Sequence, residues 1–386
     1  MKIGVVRESA VGERRVAIVP DSVAALKKLG FDEVLVESGA GASAFHDDDA
    51  YSRAGARVFT DASALAEADV IAAVQRLRDE SLEALREGAV LISFLQIGTA
   101  GPTINRLVER KITAFSMDLI PRISRAQAID ALSSQATAAG YKAVLIAAQS
   151  LPKFFPMLST AAGTIFAAKV LVLGAGVAGL QAIATARRLG ATVWAYDVRP
   201  IVKEQVESLG AKFLQFDVGE KDIEDKGGYA RELAADSQKR QQAWLADQIK
   251  DFDVVITTAL IPGKPAPKLI TRQTVERMRP GSVIVDLAAE GGGNCELTEP
   301  GQTIDHGHVR IHAPLNLPST CAVHASQMFA RNVVNLVSLI VKDGKLNIDA
   351  SDEVIRGSLI THQGQVIHET AKSVFSPKSP AAIAAS

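Results

Sequence analysis

An α/β protein is expected from this sequence, built as two doubly wound parallel-sheet (Rossmann-like) domains joined by long helices. Short, wholly apolar runs alternate with helical patterns over most of the 386 residues. Strands apolar at every position are buried on both faces, which is the mark of a parallel sheet made of βαβ units. The series of runs also occurs twice, the second time from Lys169 onward. Finally, 47% hydrophobic and 22% charged residues supply ample cores and exclude a mainly disordered chain.

In chain order, residues 2–6, 34–37, 70–74 and 90–94 read as buried strands of the first series, with helices over 20–29, 62–66 and 103–109. Asp47, Asp48 and Asp49 begin a further helix, where the dipole favours acids. Residues 124–151 are Ala-rich and read as one long connecting helix. The second series has strands at 169–173, 192–196, 254–257 and 282–286, and helices at 177–189, 230–249 and 274–278. A long helix over 321–342 then returns to the first domain, and 376–386 read as a flexible Pro/Ala/Ser-rich tail. The expected domains are therefore 1–133 with 320–386, and 134–319.

Composition removes several functions. Lys plus Arg number 42 and Asp plus Glu 43, so no overall field favours nucleic acid or anionic lipid. Aromatics at 5% give no platform for stacking bases. Two cysteines, Cys295 and Cys321, do not make a disulfide framework and are expected to be buried small hydrophobes. The first residues begin a strand rather than a signal peptide, and no apolar run approaches the ~20 residues that span a bilayer. A cytoplasmic protein is expected, touching membrane only through partners. Asp305, His306, His308 and His312 lie close together, but their spacing matches no common metal pattern, so no metal is expected.

The most informative motif is Gly174-Ala175-Gly176-Val177-Ala178-Gly179, directly after one expected strand and opening a helix. In a dinucleotide site the first glycine permits the tight turn, the second lets backbone approach the pyrophosphate, and the third lets helix and strand pack closely. The helix N-terminus adds oriented N–H groups and partial positive charge. Asp197 ends the next strand, eighteen residues past Gly179, where an acid is expected for the ribose hydroxyls. A carboxylate there accepts from a 2′-hydroxyl and repels a 2′-phosphate, which favours NAD over NADP. Arg199 could pair with a phosphate, but it reads as a solvated surface charge.

Several motifs now stand in one order: Arg14-Arg15-Val16-Ala17-Ile18, residues 121–127 (PRISRAQ), the glycine turn, 259–271 (ALIPGKPAPKLIT) and 285–294 (VDLAAEGGGN). Together they resemble the alanine dehydrogenase and nicotinamide nucleotide transhydrogenase superfamily over essentially the whole chain apart from the tail. The dehydrogenases carry a lysine after the third strand and a histidine after the fourth. The corresponding residues here are Gln75 and Gln96, amides that take up no proton near neutral pH. The acid after the VDLA strand is Glu290 rather than Asp, and Arg15 alone makes only a carboxylate site. The chain resembles the NAD-binding subunits of the transhydrogenase branch more closely.

That resemblance implies Arg122, Gln127, Asp130 and Ser133 around the nicotinamide, with Gln127 nearest the gap between the two rings. The spacing of Gln127, Asp130 and Ser133 would align them on one helical turn. It implies cofactor contacts at Gly174, Gly176, Val177, Ala178, Gly179, Asp197, Val198, Arg199, Gly228, Tyr229, Ala259 and Leu260. Tyr229 would close over the nucleotide on a charged mobile loop, 217–229, hinged at Gly227-Gly228. Asn316, in the turn 314–318, is a further candidate. The implied activity is direct hydride transfer between NADPH and NAD+, with NAD(H) held here and NADP(H) on a partner. Membrane subunits would couple that transfer to proton translocation, and a homodimer is implied. Two other functions remain open from the residues alone: an amino-acid dehydrogenase acting by itself, and a non-catalytic NAD-binding regulator.

Overall fold

The computed structural model describes residues 1–217, 219, 230–261 and 264–375. It divides into two compact units, Met1–Gln135 with Ser319–Ser386, and Ala136–Pro318. The first unit opens with β1 (Lys2–Val5), β2 (Glu33–Glu37), β3 (Arg57–Phe59), β4 (Val70–Ala72), β5 (Val90–Ser93) and β6 (Thr113–Ser116). The second begins with a hairpin, β7 (Leu158–Thr160) and β8 (Gly163–Ile165). It continues through β9 (Lys169–Leu173), β10 (Thr192–Tyr196), β11 (Lys212–Phe213), β12 (Val254–Thr257), β13 (Val283–Asp286), β14 (Thr303–His306) and β15 (Val309–His312). The chain re-enters the first unit through the helix Ala322–Ile340, the hairpin β16 (Val341–Lys342) and β17 (Lys345–Leu346), then β18 (Leu359–His362) and β19 (Gln365–Val366).

Among the described residues, the first unit's sheet has the order β19-β18-β6-β5-β4-β1-β2-β3, parallel from β6 to β3 with an antiparallel edge at β18 and β19. The second unit's sheet has the order β11-β10-β9-β12-β13-β15-β14, parallel except for β14. Both are doubly wound. In each, the first strand of the series lies inside the sheet and the order reverses beside it, between β1 and β4 and between β9 and β12. Ligands of such sheets bind outside the carboxyl ends of the strands at this reversal.

Burial explains the wholly apolar strands. Successive side chains point to opposite faces. In the second unit Val170, Val172, Val254, Ile256, Val283 and Val285 pack on one face with Ala182, Ile183 and Ala186 of the helix Val177–Arg188. Leu171, Leu173, Val255 and Ile284 enter a separate core on the other face. The first unit repeats this with Ile3, Val34, Val70 and Ile92 against Leu35, Ile71 and Leu91. Each such side chain contributes about 1.5–3 kcal/mol on burial, so neither face tolerates polar alternation.

Elements with mixed faces escape the sequence pattern. β3 is three residues with one exposed, and β6 carries Thr113 and Ser116. Residues 62–66 form a 3-10 helix, Ala62–Glu67, rather than an α-helix, and 20–29 divide into a 3-10 turn and the helix Val23–Lys28. The expected helix 321–342 ends at Ile340. Asp343 and Gly344 both have positive φ, 51° and 69°, as a two-residue hairpin turn requires, and this pulls Val341–Lys342 into β16. No helix among the described residues is long and apolar enough to cross a membrane. Cys295 is buried, but Cys321 is half-exposed at the end of a 3-10 turn. The expected tail 376–386 lies outside the described residues.

Candidate functional site

The glycine turn sits at the reversal point of the second unit's sheet. Gly174 leaves β9 with φ of +97°, a left-handed conformation that disfavours a side chain. Its N–H donates to Tyr196 O at 2.8 Å, and its carbonyl accepts from the Thr258 hydroxyl at 3.0 Å. The turn is thereby pinned to both neighbours of β9. At Gly179 a Cβ would lie 1.9 Å from the Gly174 carbonyl oxygen, so the helix can approach the turn only without a side chain there. At Gly176 a Cβ would meet nothing within 4 Å. Gly176 caps the twelve-residue helix Val177–Arg188 with no side-chain hydrogen bond, and Val177 is exposed. A bare helix N-terminus beside an open glycine fits a pyrophosphate.

Asp197 ends β10 and is buried. Its oxygens accept the Ala175 N–H at 2.8 Å and, from Arg199, the backbone N–H at 2.9 Å, Nε at 2.9 Å and Nη2 at 2.8 Å. Arg199 is therefore not the solvated surface charge expected. Two residues is enough for its side chain to fold back onto the carboxylate, and its own exposure falls to 13%. Val198, between them, is half-buried against the core on one face of the sheet.

Ala259 and Leu260 follow β12. The side chain of Asn294, fully buried, holds Ala259 from both sides: Oδ1 accepts its N–H at 3.0 Å and Nδ2 donates to its carbonyl at 2.8 Å. Nδ2 also donates to Pro267 O. Ala266, Leu269 and Ile270 N–H groups bond to the carbonyls of Gly291 and Asn294, so the motifs 259–271 and 285–294 form one zipped structure. Asp286, also fully buried, anchors it by accepting from Thr257, Ala288, Cys295 and Thr298. Leu260 remains half-exposed. Asn294 ends the second of these motifs, but its role is invisible in sequence because its partners lie 27–35 positions away. Asn316, with φ of +46°, donates its N–H to Glu290.

Arg122, Gln127, Asp130 and Ser133 lie in the first unit. The expectation that one helical turn aligns the last three is corrected. Residues 124–126 form a 3-10 turn and the α-helix starts at Ala131, because Asp130 caps it, accepting the Ser133 N–H at 2.9 Å and its hydroxyl at 2.6 Å. Gln127 is exposed at the end of the 3-10 turn, between two anchors. On one side Arg125 forms a bidentate pair with Asp352, and on the other Asn332 and Asn335 both donate to Ala128 O. Arg122 is exposed. Gly228 and Tyr229, with nearly all of the loop 217–229, lie outside the described residues.

At the first unit's reversal point, Arg15 is not an open carboxylate site. Its guanidinium is bridged by Glu13 at 2.8 and 2.6 Å and bonds Gln135 at 2.9 Å. Gln75 donates to Glu13 at 2.9 Å. Burial pushes Glu13 up, but the hydrogen bonds and charge of Arg15 outweigh it and leave the carboxyl at about 2. Glu8 accepts the Val74 and Gln75 N–H groups, and burial raises it to about 7. Gln96 adopts a left-handed φ of 50°, with its N–H held by Asp118. The histidine cluster is a strand edge. Asp305 pairs with Arg310, His306 with Glu276, and His312 bonds Ser150 and Thr303. Among the described residues no group of side chains could hold a metal ion.

A doubly wound sheet carrying this turn at its reversal point, with an acid at the end of the next strand, defines a dinucleotide-binding α/β protein. The model of the alanine dehydrogenase/PNT N-terminal domain matches residues 4–139 and that of the C-terminal domain residues 143–369, and the chain belongs to this family. The first of the polypeptides that make up NAD(P) transhydrogenase subunit alpha in Rhodospirillum rubrum is 49% identical over 377 residues, 95% of this chain and 98% of that one. NAD(P) transhydrogenase subunit alpha of Haemophilus influenzae is 46% identical over 370 residues, 95% of this chain and 72% of that one. A solved transhydrogenase from Sinorhizobium meliloti has a TM-score of 0.84 at 44% identity, covering 96% of this chain and 100% of that one.

Proposed function

We infer that this chain is the NAD(H)-binding subunit of a proton-translocating nicotinamide nucleotide transhydrogenase. It works as a homodimer with separate membrane and NADP(H)-binding subunits, and reaches the inner membrane face only through them. The observation that carries this reading is an intact dinucleotide turn in a chain with amides, Gln75 and Gln96, where the family's amino-acid dehydrogenases place a lysine and a histidine. The names and the extent of the similar proteins support it.

The nicotinamides supply the chemistry, a hydride passing from C4 of one dihydronicotinamide to C4 of the other ring. Such a step needs no general acid or base; it needs orientation and exclusion of water. The backbone from Gly174 to Gly179 holds the pyrophosphate, with Val177 and Ala178 contributing N–H groups. Asp197, Val198 and Arg199 take the adenosine ribose, and Ala259 and Leu260 line the nucleotide's edge. Gly228 and Tyr229 belong to the segment that closes over it. Arg122, Gln127, Asp130 and Ser133 hold the nicotinamide and its carboxamide.

Gln127 has the most exacting role, and Gln127→Asn shortens it by one methylene while keeping the amide. The variant is expected to slow hydride transfer at least about tenfold while NADH affinity changes by less than about threefold, since misplacement costs rate before binding. Stopped-flow transfer and a binding titration separate the two. Equal losses in both would remove Gln127 from that role.

A further inference from the structure

Dinucleotide sites of this architecture tell NAD from NADP at the end of the strand after the glycine turn. An acid there accepts from the 2′-hydroxyl, or an arginine nearby accommodates the 2′-phosphate. Here both residue types stand at the end of β10, two positions apart, and they are bonded to each other. We propose that Asp197 sets nucleotide choice twice, by its own charge and by sequestering Arg199, and that Arg199 is a latent 2′-phosphate site which one substitution uncovers. This rests on the glycine turn being the seat of NAD(H).

A carboxylate offers about four acceptor positions. At Asp197 the Ala175 N–H takes one, and the backbone N–H, Nε and Nη2 of Arg199 take the others. The carboxylate is 5% exposed and the guanidinium 13%, so neither is free to turn to solvent at little cost. Two consequences follow for the ribose end of a nucleotide. A 2′-hydroxyl can reach Asp197 by replacing a guanidinium N–H, while the two backbone N–H groups keep the carboxylate in place. A 2′-phosphate meets a buried carboxylate, and the adjacent arginine is already neutralised by it.

Removing the carboxylate reverses both effects. Arg199 stays charged at every accessible pH, and its planar fork binds phosphate oxygens in pairs. Its backbone remains fixed by position, at the first residue of the turn leading into the helix Lys203–Ser208. The guanidinium that closed on Asp197 then occupies the place a 2′-phosphate enters.

The test uses the full chain as Asp197→Ser and as Asp197→Ser with Arg199→Ala, titrated with NADH and with NADPH and followed by nucleotide fluorescence. Thermal melts confirm folding. Asp197→Asn, which keeps a side-chain oxygen for the Ala175 N–H, serves if the serine variant does not fold. The unsubstituted chain should bind NADH and discriminate against NADPH. The single variant should bind NADPH about tenfold or more tightly than the unsubstituted chain, the size of one charge-assisted hydrogen bond, and the double variant should lose that gain. Folded single and double variants that bind NADPH equally would overturn the role of Arg199, and no gain in the single variant would overturn that of Asp197. An unsubstituted chain that binds no NADH would instead overturn the nucleotide site itself, and this inference with it.

Discussion

Glu8 and Glu13 lie five residues apart, and their surroundings drive them in opposite directions. Burial raises Glu8 from the ordinary 4.5 to about 7, with the Val74 and Gln75 N–H groups opposing it. Glu13, despite burial, is held at about 2 by Arg15. A carboxyl whose pKa rises on folding contributes stability that is fully present below about 4.5 and is lost as pH rises through about 7. Glutamine cannot ionise, so Glu8→Gln escapes that loss. Relative to the unsubstituted chain, the variant should gain on the order of 2 kcal/mol between pH 5 and pH 8, after allowance for partial exposure. Glu13 stays ionised in the folded chain across that window and does not mask the change. Thermal melts at the two pH values measure it, and a difference that does not move with pH would refute it. The same neighbourhoods show what sequence can say about single side chains. The acid of Asp197 and its spacing were legible, because they follow from the turn. The fate of Arg199 was not, because a side chain two residues on can point to solvent or fold back, and only the backbone direction decides. Asn294 was legible as a motif position but not as a clamp on Ala259.

Strands, turns and helices follow more closely from sequence where burial is two-sided. β9, β10 and β12 occupy the runs expected, since nothing but an interior strand reads as apolar at every position. β14 alternates exposed and half-buried residues, and β3 is too short to show a period, so neither stood out. The break before Ala131 was hidden because residues 124–151 suit a helix throughout. The Asp130 carboxylate stops it by bonding Ser133. The most demanding contact between elements is the helix Val177–Arg188 against its own turn. Gly179→Ala places a methyl 1.9 Å from a backbone oxygen, with no flexible side chain to yield. The helix must move off the turn, at a cost of about 1–3 kcal/mol by analogy with overpacked cores. NADH affinity should fall together with the melting temperature. A variant that melts lower but binds NADH unchanged would show that this helix does not hold the pyrophosphate.

Two doubly wound sheets, each buried on both faces, make an architecture whose ligand positions are set by topology, and this is why so much of it could be read from one chain. Chemistry is less determined, because the same family supports amine oxidation and transfer between nucleotides. What separates them here is a pair of amides and the absence of any need for a proton acceptor. The most direct measurement is reduction of an NAD analogue by NADPH, followed by absorbance. The purified chain is assayed alone, and then with membranes that carry the partner subunits but lack this one. Activity that appears only with the membranes is the expected result. No transfer in either case, with NADH binding intact and NADH formed from NAD+ and alanine by the chain alone, would contradict the transhydrogenase assignment and establish an amino-acid dehydrogenase in its place.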